Sequence, residues 1–249
     1  VKLLVALVTA LACCSATPKP AVRGLPAGFV YLSDVAPTVE QDIRYAGSHN
    51  LVGRALPGYL APVCILAKSA AIALAKAQAE LLSAGLTLRV YDCYRPKRAV
   101  DTLWAWSRNG ADQRMKSEYY PRVDKAKLFA LGYLSRASSH ARGSGIDLTV
   151  ERLPVASPLP WVPGRHSCIA PFAARYHEGS IDMGTSYDCM DPLSRTDTPV
   201  GLVAETHRTM LRELMGQYGF KPVNGLWWSF VLASEPFPKT VFDFPITAK

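Results

Sequence analysis

The sequence predicts a single α+β domain, and three observations carry that prediction. Stretches of helical period are interspersed with short runs of strand-like alternation, their order shows no regular βαβ rhythm, and no glycine-rich phosphate loop joins them. With 249 residues, 49% of them hydrophobic and 19% charged, the chain is too apolar to be disordered and long enough to bury a sizeable core. No apolar run reaches the roughly 18 to 20 residues that span a bilayer, which excludes a polytopic membrane protein.

Taken in order, residues 1–16 have the pattern of an export signal. Lys2 supplies the positive charge, Leu3 to Ala12 the apolar stretch, and small residues then allow cleavage after Ala12 or Ala16. Cys13 or Cys14 is a candidate lipid-anchor site, although Ala10-Leu11-Ala12-Cys13 matches a lipoprotein box poorly. Residues 17–27 form a proline-rich leader, and 28–249 the domain. Lys68 to Leu82 sets alanine, leucine and charged residues at helical period, with Gly85 as its stop. Leu86 to Tyr91 alternates as a strand, and Pro96 suits the first turn of a helix running through Trp106. Gly145 to Val150 is a second strand, ended by the charged pair Glu151-Arg152 and followed by a proline-rich loop from Pro154 to Pro163. Val203 to Tyr218 is an amphipathic helix stopped by Gly219, and Trp227 to Leu232 is the last strand.

Export to a bacterial periplasm or cell envelope gives the cysteines their meaning. Beyond the signal remain Cys64, Cys93, Cys168 and Cys189, whose spacings match no CxxC zinc knuckle. An even number in an oxidising compartment points to disulfides. Of the possible connectivities, Cys64–Cys93 with Cys168–Cys189 is favoured because each pair closes a local segment. The net charge of +8 comes without any lysine–arginine run. It fits a solvated basic surface facing anionic wall polymer or lipid headgroups, not nucleic acid.

Three stretches hold residues suited to chemistry. In Ser138-Ser139-His140-Ala141-Arg142-Gly143-Ser144-Gly145-Ile146-Asp147, a loop histidine and a strand aspartate can converge on one metal, the glycines allowing the tight turn. The competing reading is a loop histidine beside an aspartate that caps a turn. In Tyr91-Asp92-Cys93-Tyr94-Arg95-Pro96, an arginine between strand and helix can hold a carboxylate or an oxyanion, or make a surface salt bridge. Asp182-Met183-Gly184-Thr185-Ser186-Tyr187-Asp188 places two acids on a turn, where either can receive an ammonium group or cap the loop.

Together these stretches resemble the zinc D-alanyl-D-alanine dipeptidases, the vancomycin-resistance type included. Asp42-Ile43-Arg44-Tyr45-Ala46, Ser117-Glu118-Tyr119-Tyr120-Pro121, Trp227-Trp228, Glu235-Pro236-Phe237-Pro238 and Phe242-Asp243-Phe244-Pro245 extend the likeness in order along nearly the whole chain beyond the leader. The resemblance implies a small antiparallel sheet flanked by helices and a reaction in which metal-activated water cleaves D-Ala-D-Ala or a related wall dipeptide. It implies His140 and Asp147 as Zn2+ ligands and Arg95 as the group that stabilises the tetrahedral oxyanion. It further implies Asp188 as the site for the dipeptide ammonium, with Tyr45 nearby and Ser138 against the substrate backbone or carboxylate.

One motif departs from the family. Where the family has Glu-Trp-Trp-His, supplying the general base and the third zinc ligand, this chain has Leu226-Trp227-Trp228-Ser229. A neutral hydroxyl is a poor zinc ligand and leucine accepts no proton, so weak or absent zinc and trace hydrolysis are expected. The resulting expectation is an exported protein of cell-wall metabolism that keeps its dipeptide pocket without the hydrolytic machinery. The alternative is an active zinc dipeptidase with a rewired ligand and base, for which His166, His177 and Glu235 are candidates ahead of His207 and His49.

Overall fold

Backbone pairing in the computed structural model, which describes residues 24–158 and 160–249, centres on a five-stranded sheet. The expected export signal, Cys13, Cys14 and most of the expected leader lie outside the described residues. The chain enters through β1 (Phe29–Tyr31), a short turn of helix α1 (Leu32–Val35) and β2 (Glu40–Gln41). Then come β3 (Ile65–Ala67), α2 (Lys68–Ser83), β4 (Leu86–Asp92), α3 (Lys97–Ser107), α4 (Lys116–Tyr119) and β5 (Gly145–Arg152). The last elements are α5 (Leu202–Gln217), β6 (Phe220–Pro222) and β7 (Ser229–Leu232). The main sheet has the order β2-β4-β5-β7-β6 and is antiparallel except where β2 joins β4, while β1 and β3 pair separately. Helix α2 packs on β4, α5 on β6, and the two helices touch, which is the helix-flanked α+β arrangement the sequence leads one to expect.

The long elements form where periodicity places them, because their apolar faces are continuous. Leu74, Ala77 and Leu81 of α2 and Leu211, Leu214 and Met215 of α5 are buried against the sheet. Both expected disulfides are present, with Cα–Cα distances of 5.4 Å for Cys64–Cys93 and 5.6 Å for Cys168–Cys189. Among the described residues, no helix is long and apolar enough to cross a membrane.

Two boundaries need correction. Glu151-Arg152 does not end β5, which runs through Arg152. Glu151 is only 1% exposed, and its Oε1 accepts a 2.6 Å bond from Arg89 Nε on the adjacent strand. Burial of the pair lets charged residues continue a strand that hydropathy alone would stop. The last strand begins at Ser229, not Trp227: the Trp227 N–H turns away from the ladder to the Ser194 carbonyl at 3.2 Å, and its Nε1 donates to Thr185 Oγ1 at 2.8 Å.

The register of the sheet positions the site. Asp92 at the end of β4 lies opposite Asp147 on β5, which lies opposite Ser229 at the start of β7. Between Val90 and Asp92 the ladder shifts, β4 using one more residue than β5, and this bulge brings Asp92 into the row. His140 reaches the same place from the turn before β5. That turn needs two glycines: Gly143 has φ +77° and a Cβ there would lie 2.3 Å from Phe29 Cε1, while a Cβ on Gly145 would lie 2.5 Å from the His140 nitrogen.

The buried cross-strand pair gives a direct test of this architecture. Glu151→Ala, leaving Arg89 without its carboxylate, is expected to destabilise the fold by about 3–5 kcal/mol in urea unfolding, and the Arg89→Met, Glu151→Leu double variant to recover most of that loss.

Candidate active site

A cleft of about 180 Å³ opens at the Asp92 end of the sheet. It is lined by Arg95, Ser138, His140, Asp147, Asp188, Leu226 and Ser229, all singled out in the sequence. Tyr45 stands just behind them, its hydroxyl donating to Asp188 Oδ2 at 2.7 Å. Residues spread over nearly two hundred positions of chain therefore meet in one place.

The imidazole of His140 is oriented by the backbone. Its Nδ1 lies 2.7 Å from the Cys93 carbonyl, an acceptor only, so Nδ1 carries the hydrogen and Nε2 faces Asp147 Oδ1 at 3.2 Å. Asp147 Oδ1 is buried without a hydrogen-bond partner, while Oδ2 accepts from Tyr187 at 3.2 Å. Burial opposes the charge on both residues. Even so, the Asp147 carboxylate holds the His140 pKa above its ordinary value, and His140 with Arg95 holds Asp147 below the usual carboxylate range.

An orphaned carboxylate oxygen facing an imidazole nitrogen is a place for a cation, and Asp92, His140 and Asp147 place their ligand atoms within 4.8 Å of one another. The three are not equivalent. Asp92 sits at the Nδ1 edge of the ring, 3.4 Å away, and both its oxygens are engaged: Oδ1 by Tyr59 at 2.6 Å, Oδ2 by Arg95 Nε at 2.8 Å and Nη2 at 2.6 Å. His140 Nε2 and Asp147 thus suit a metal ion as two donors, and the neighbouring position on β7 offers only the Ser229 hydroxyl. Arg95 is no surface salt bridge. It is 6% exposed, clamped by Asp92, with its guanidinium 4.9 Å over the Tyr45 ring.

Asp188 is the second acid of the cleft. Burial pushes its carboxyl up to about 7, the Tyr45 hydrogen bond opposes this, and the nearby Asp147 charge adds to it. Its backbone is left-handed, with φ +59°. Asp182, the other acid of that turn, is paired with Arg175 and plays no part in the cleft.

The other candidates fall elsewhere. His166 belongs to a separate cleft beside Arg44 and Glu118, and His177 packs on Phe172. His207 bonds the Asp182 carbonyl at 2.8 Å. His49 sits against Arg44, its pKa pushed down to about 2 by burial and by that charge. Glu235 makes a two-pronged pair with Arg142 at 2.7 and 2.8 Å and is not among the residues lining the cleft. Sequence reasoning missed Asp92, Tyr59 and Tyr187. The Asp92–Arg95 spacing of three was a usable signal, whereas Tyr59 and Tyr187 arrive by tertiary packing alone.

Over most of its length the chain is similar to known dipeptidases. The model of the Peptidase_M15 family, D-ala-D-ala dipeptidase, matches residues 26–160 and 155–247. A D-alanyl-D-alanine dipeptidase of Enterococcus faecalis is 33% identical over 221 residues, 88% of this chain and 98% of that one. One of Streptomyces coelicolor is 33% identical over 219 residues, again 88% and 98% of the two chains. One of Escherichia coli K12 is 29% identical over 204 residues, 82% of this chain and 83% of that one.

The raised Asp188 carboxyl sets a pH test. Between the unfolded value near 4 and the folded value of about 7 the folded state keeps a proton that the unfolded state has released, so stability falls as pH rises through that window. Asp188→Asn, which keeps an acceptor for Tyr45, is expected to match the parent protein near pH 4 and exceed it above pH 7, by at most about 4 kcal/mol in urea unfolding.

Proposed function

The chain belongs to the D-alanyl-D-alanine dipeptidase family of zinc-dependent peptidases, and from that premise we propose that it is an exported cell-wall protein that binds D,D-dipeptides and hydrolyses them poorly. The observation that carries this reading is the cleft's division into two halves. Arg95, Asp188, Tyr45 and Ser138 are assembled around it, while Leu226 and Ser229 stand on its β7 side with no group able to take a proton or complete a metal site.

Zinc, when held by a full ligand set, supplies a Lewis acid and an acidified water. His140 and Asp147 are the residues that would hold it. The dipeptide ammonium meets the ionised Asp188, whose Oδ2 is steadied by Tyr45. The peptide carbonyl faces Arg95, whose guanidinium is kept from rotating by Asp92. Ser138, 7% exposed, offers a hydroxyl to the ligand backbone or carboxylate. Leu226 cannot receive a proton from water or pass one to the leaving amine, and loss of a positioned base costs about 10²- to 10⁴-fold. A site that holds the ground state without these transition-state interactions binds and does not turn over. The two disulfides support an oxidising, extracytoplasmic location. A lipid anchor at Cys13 or Cys14 stays part of the proposal.

The alternative of a working dipeptidase with rewired ligands finds its one support in Asp92, close to His140 and Asp147. The engagement of both Asp92 oxygens, and the leucine at the position where the family carries its base, favour the binding reading.

D-alanine release from D-Ala-D-Ala with added zinc decides between them. The unaltered protein is expected to show trace turnover, and the Leu226→Glu, Ser229→His variant to gain at least about 10²-fold. Chelator-sensitive turnover by the unaltered protein would refute the proposal. In calorimetric titration, affinity for D-Ala-D-Ala is expected to rise as pH passes through about 7, where Asp188 ionises, and to fall again as the ligand amine loses its proton near pH 8.

A further inference from the structure

Arg44 precedes Tyr45 in the chain and is almost fully buried. Its Nε donates to Asp42 Oδ2 at 2.6 Å, Nη1 meets the His49 Nε2 at 2.9 Å, and Nη2 donates to Glu178 Oε2 at 3.1 Å. The other oxygen of Glu178 accepts the backbone N–H of Tyr187 at 3.0 Å, the residue before Asp188. Arg44 reaches Tyr187 by a second path as well: its guanidinium lies 4.9 Å over the Tyr91 ring, and Tyr91 stacks on Tyr187 at 4.3 Å and 15°. Tyr187 in turn touches Asp147 through its hydroxyl.

The two ends of this network are therefore the residues next to Tyr45 and Asp188, of which Asp188 lines the cleft and Tyr45 holds it from behind. Asp188 occupies the left-handed conformation, which aspartate tolerates better than most residues with a side chain, and both of its chain neighbours are held in place. The Cys168–Cys189 disulfide fixes the following residue, and Glu178 fixes the preceding one. A buried carboxylate is itself costly unless paired, and Arg44 is the charge that pairs with Glu178.

We infer that the buried Arg44–Glu178 ion pair is a positioning element, registering the Tyr187–Asp188 backbone against Tyr45 so that Asp188 presents its free oxygen to the ligand ammonium. This rests on the assignment of Asp188 as the ammonium-binding group. Neither Arg44 nor Glu178 touches the ligand; both act through their neighbours.

Glu178→Gln tests this, since it keeps an acceptor for the Tyr187 N–H and removes the charge facing Arg44. In calorimetric titration of the full chain with D-Ala-D-Ala, with folding checked by urea denaturation, affinity is expected to fall about tenfold to a hundredfold. The fall is expected to vanish in an Asp188→Asn background, because two residues acting through one contact are not additive. Unchanged affinity, or the same loss in both backgrounds, would overturn the inference. A crystal structure of the Glu178→Gln protein decides the point without ligand: Asp188 moved away from the Tyr45 hydroxyl sustains it, and an unmoved Asp188 overturns it. If the unaltered protein gives no heat with D-Ala-D-Ala, the ammonium assignment fails and the crystal structure alone judges the positioning role.

Discussion

Burying Asp92, Asp147 and Asp188 around one guanidinium is the constraint that the site's construction answers. Carboxylates in a dry interior repel one another and lose hydration, so each must be given a partner or kept partly protonated. Arg95 answers for Asp92 directly and lies 3.6 Å from Asp147, where His140 supplies the second positive influence. Tyr59, Tyr187 and Tyr45 each donate a hydroxyl hydrogen to one of the three acids. A tyrosine hydroxyl gives each acid a hydrogen bond without adding a further cation to the cluster. Asp188 has the least help, and burial pushes its carboxyl up to about 7.

Much of this was legible before any coordinates. Long amphipathic helices announce themselves by period, so α2, α3 and α5 fall within a residue or two of where the pattern puts them. The two- and three-residue strands β1, β2, β3 and β6 are too short for alternation to register. The end of β5 was misplaced for a different reason: Glu151 reads as a solvent residue until Arg89 is known to lie beside it. In the site, His140, Asp147 and Arg95 stood out only as candidates beside loop glycines and a strand end, each with a bland alternative, and it was the family resemblance that gave them roles. The role of Asp92 was hidden by a bulge, a register event that leaves no clear mark in composition. Tyr59 and Tyr187 belong to segments without regular structure, and only the folded chain brings them in.

The family likeness and the physical reading meet at β7. Likeness says which chemistry the scaffold serves, and the side chains say how much of it this chain can perform. The half of the cleft proposed to bind the dipeptide draws on the Asp182–Cys189 turn, with the Cys64–Cys93 disulfide shortly before Arg95 and the Cys168–Cys189 disulfide directly after Asp188. The hydrolytic half would draw on two side chains flanking the tryptophan pair. Trp227 and Trp228 are nearly fully buried and belong to the core whatever stands beside them.

The transverse row Asp92–Asp147–Ser229 therefore bears on how such a protein changes over time. A ladder position is fixed by the hydrophobic residues above and below it, and a slip of one residue would turn Phe230 out of the core. Whatever residue occupies position 229 is delivered to the same point beside Asp147. The side chain at that point can be exchanged by codon changes alone, with no refolding of the sheet, so the register can outlast any one residue it delivers there.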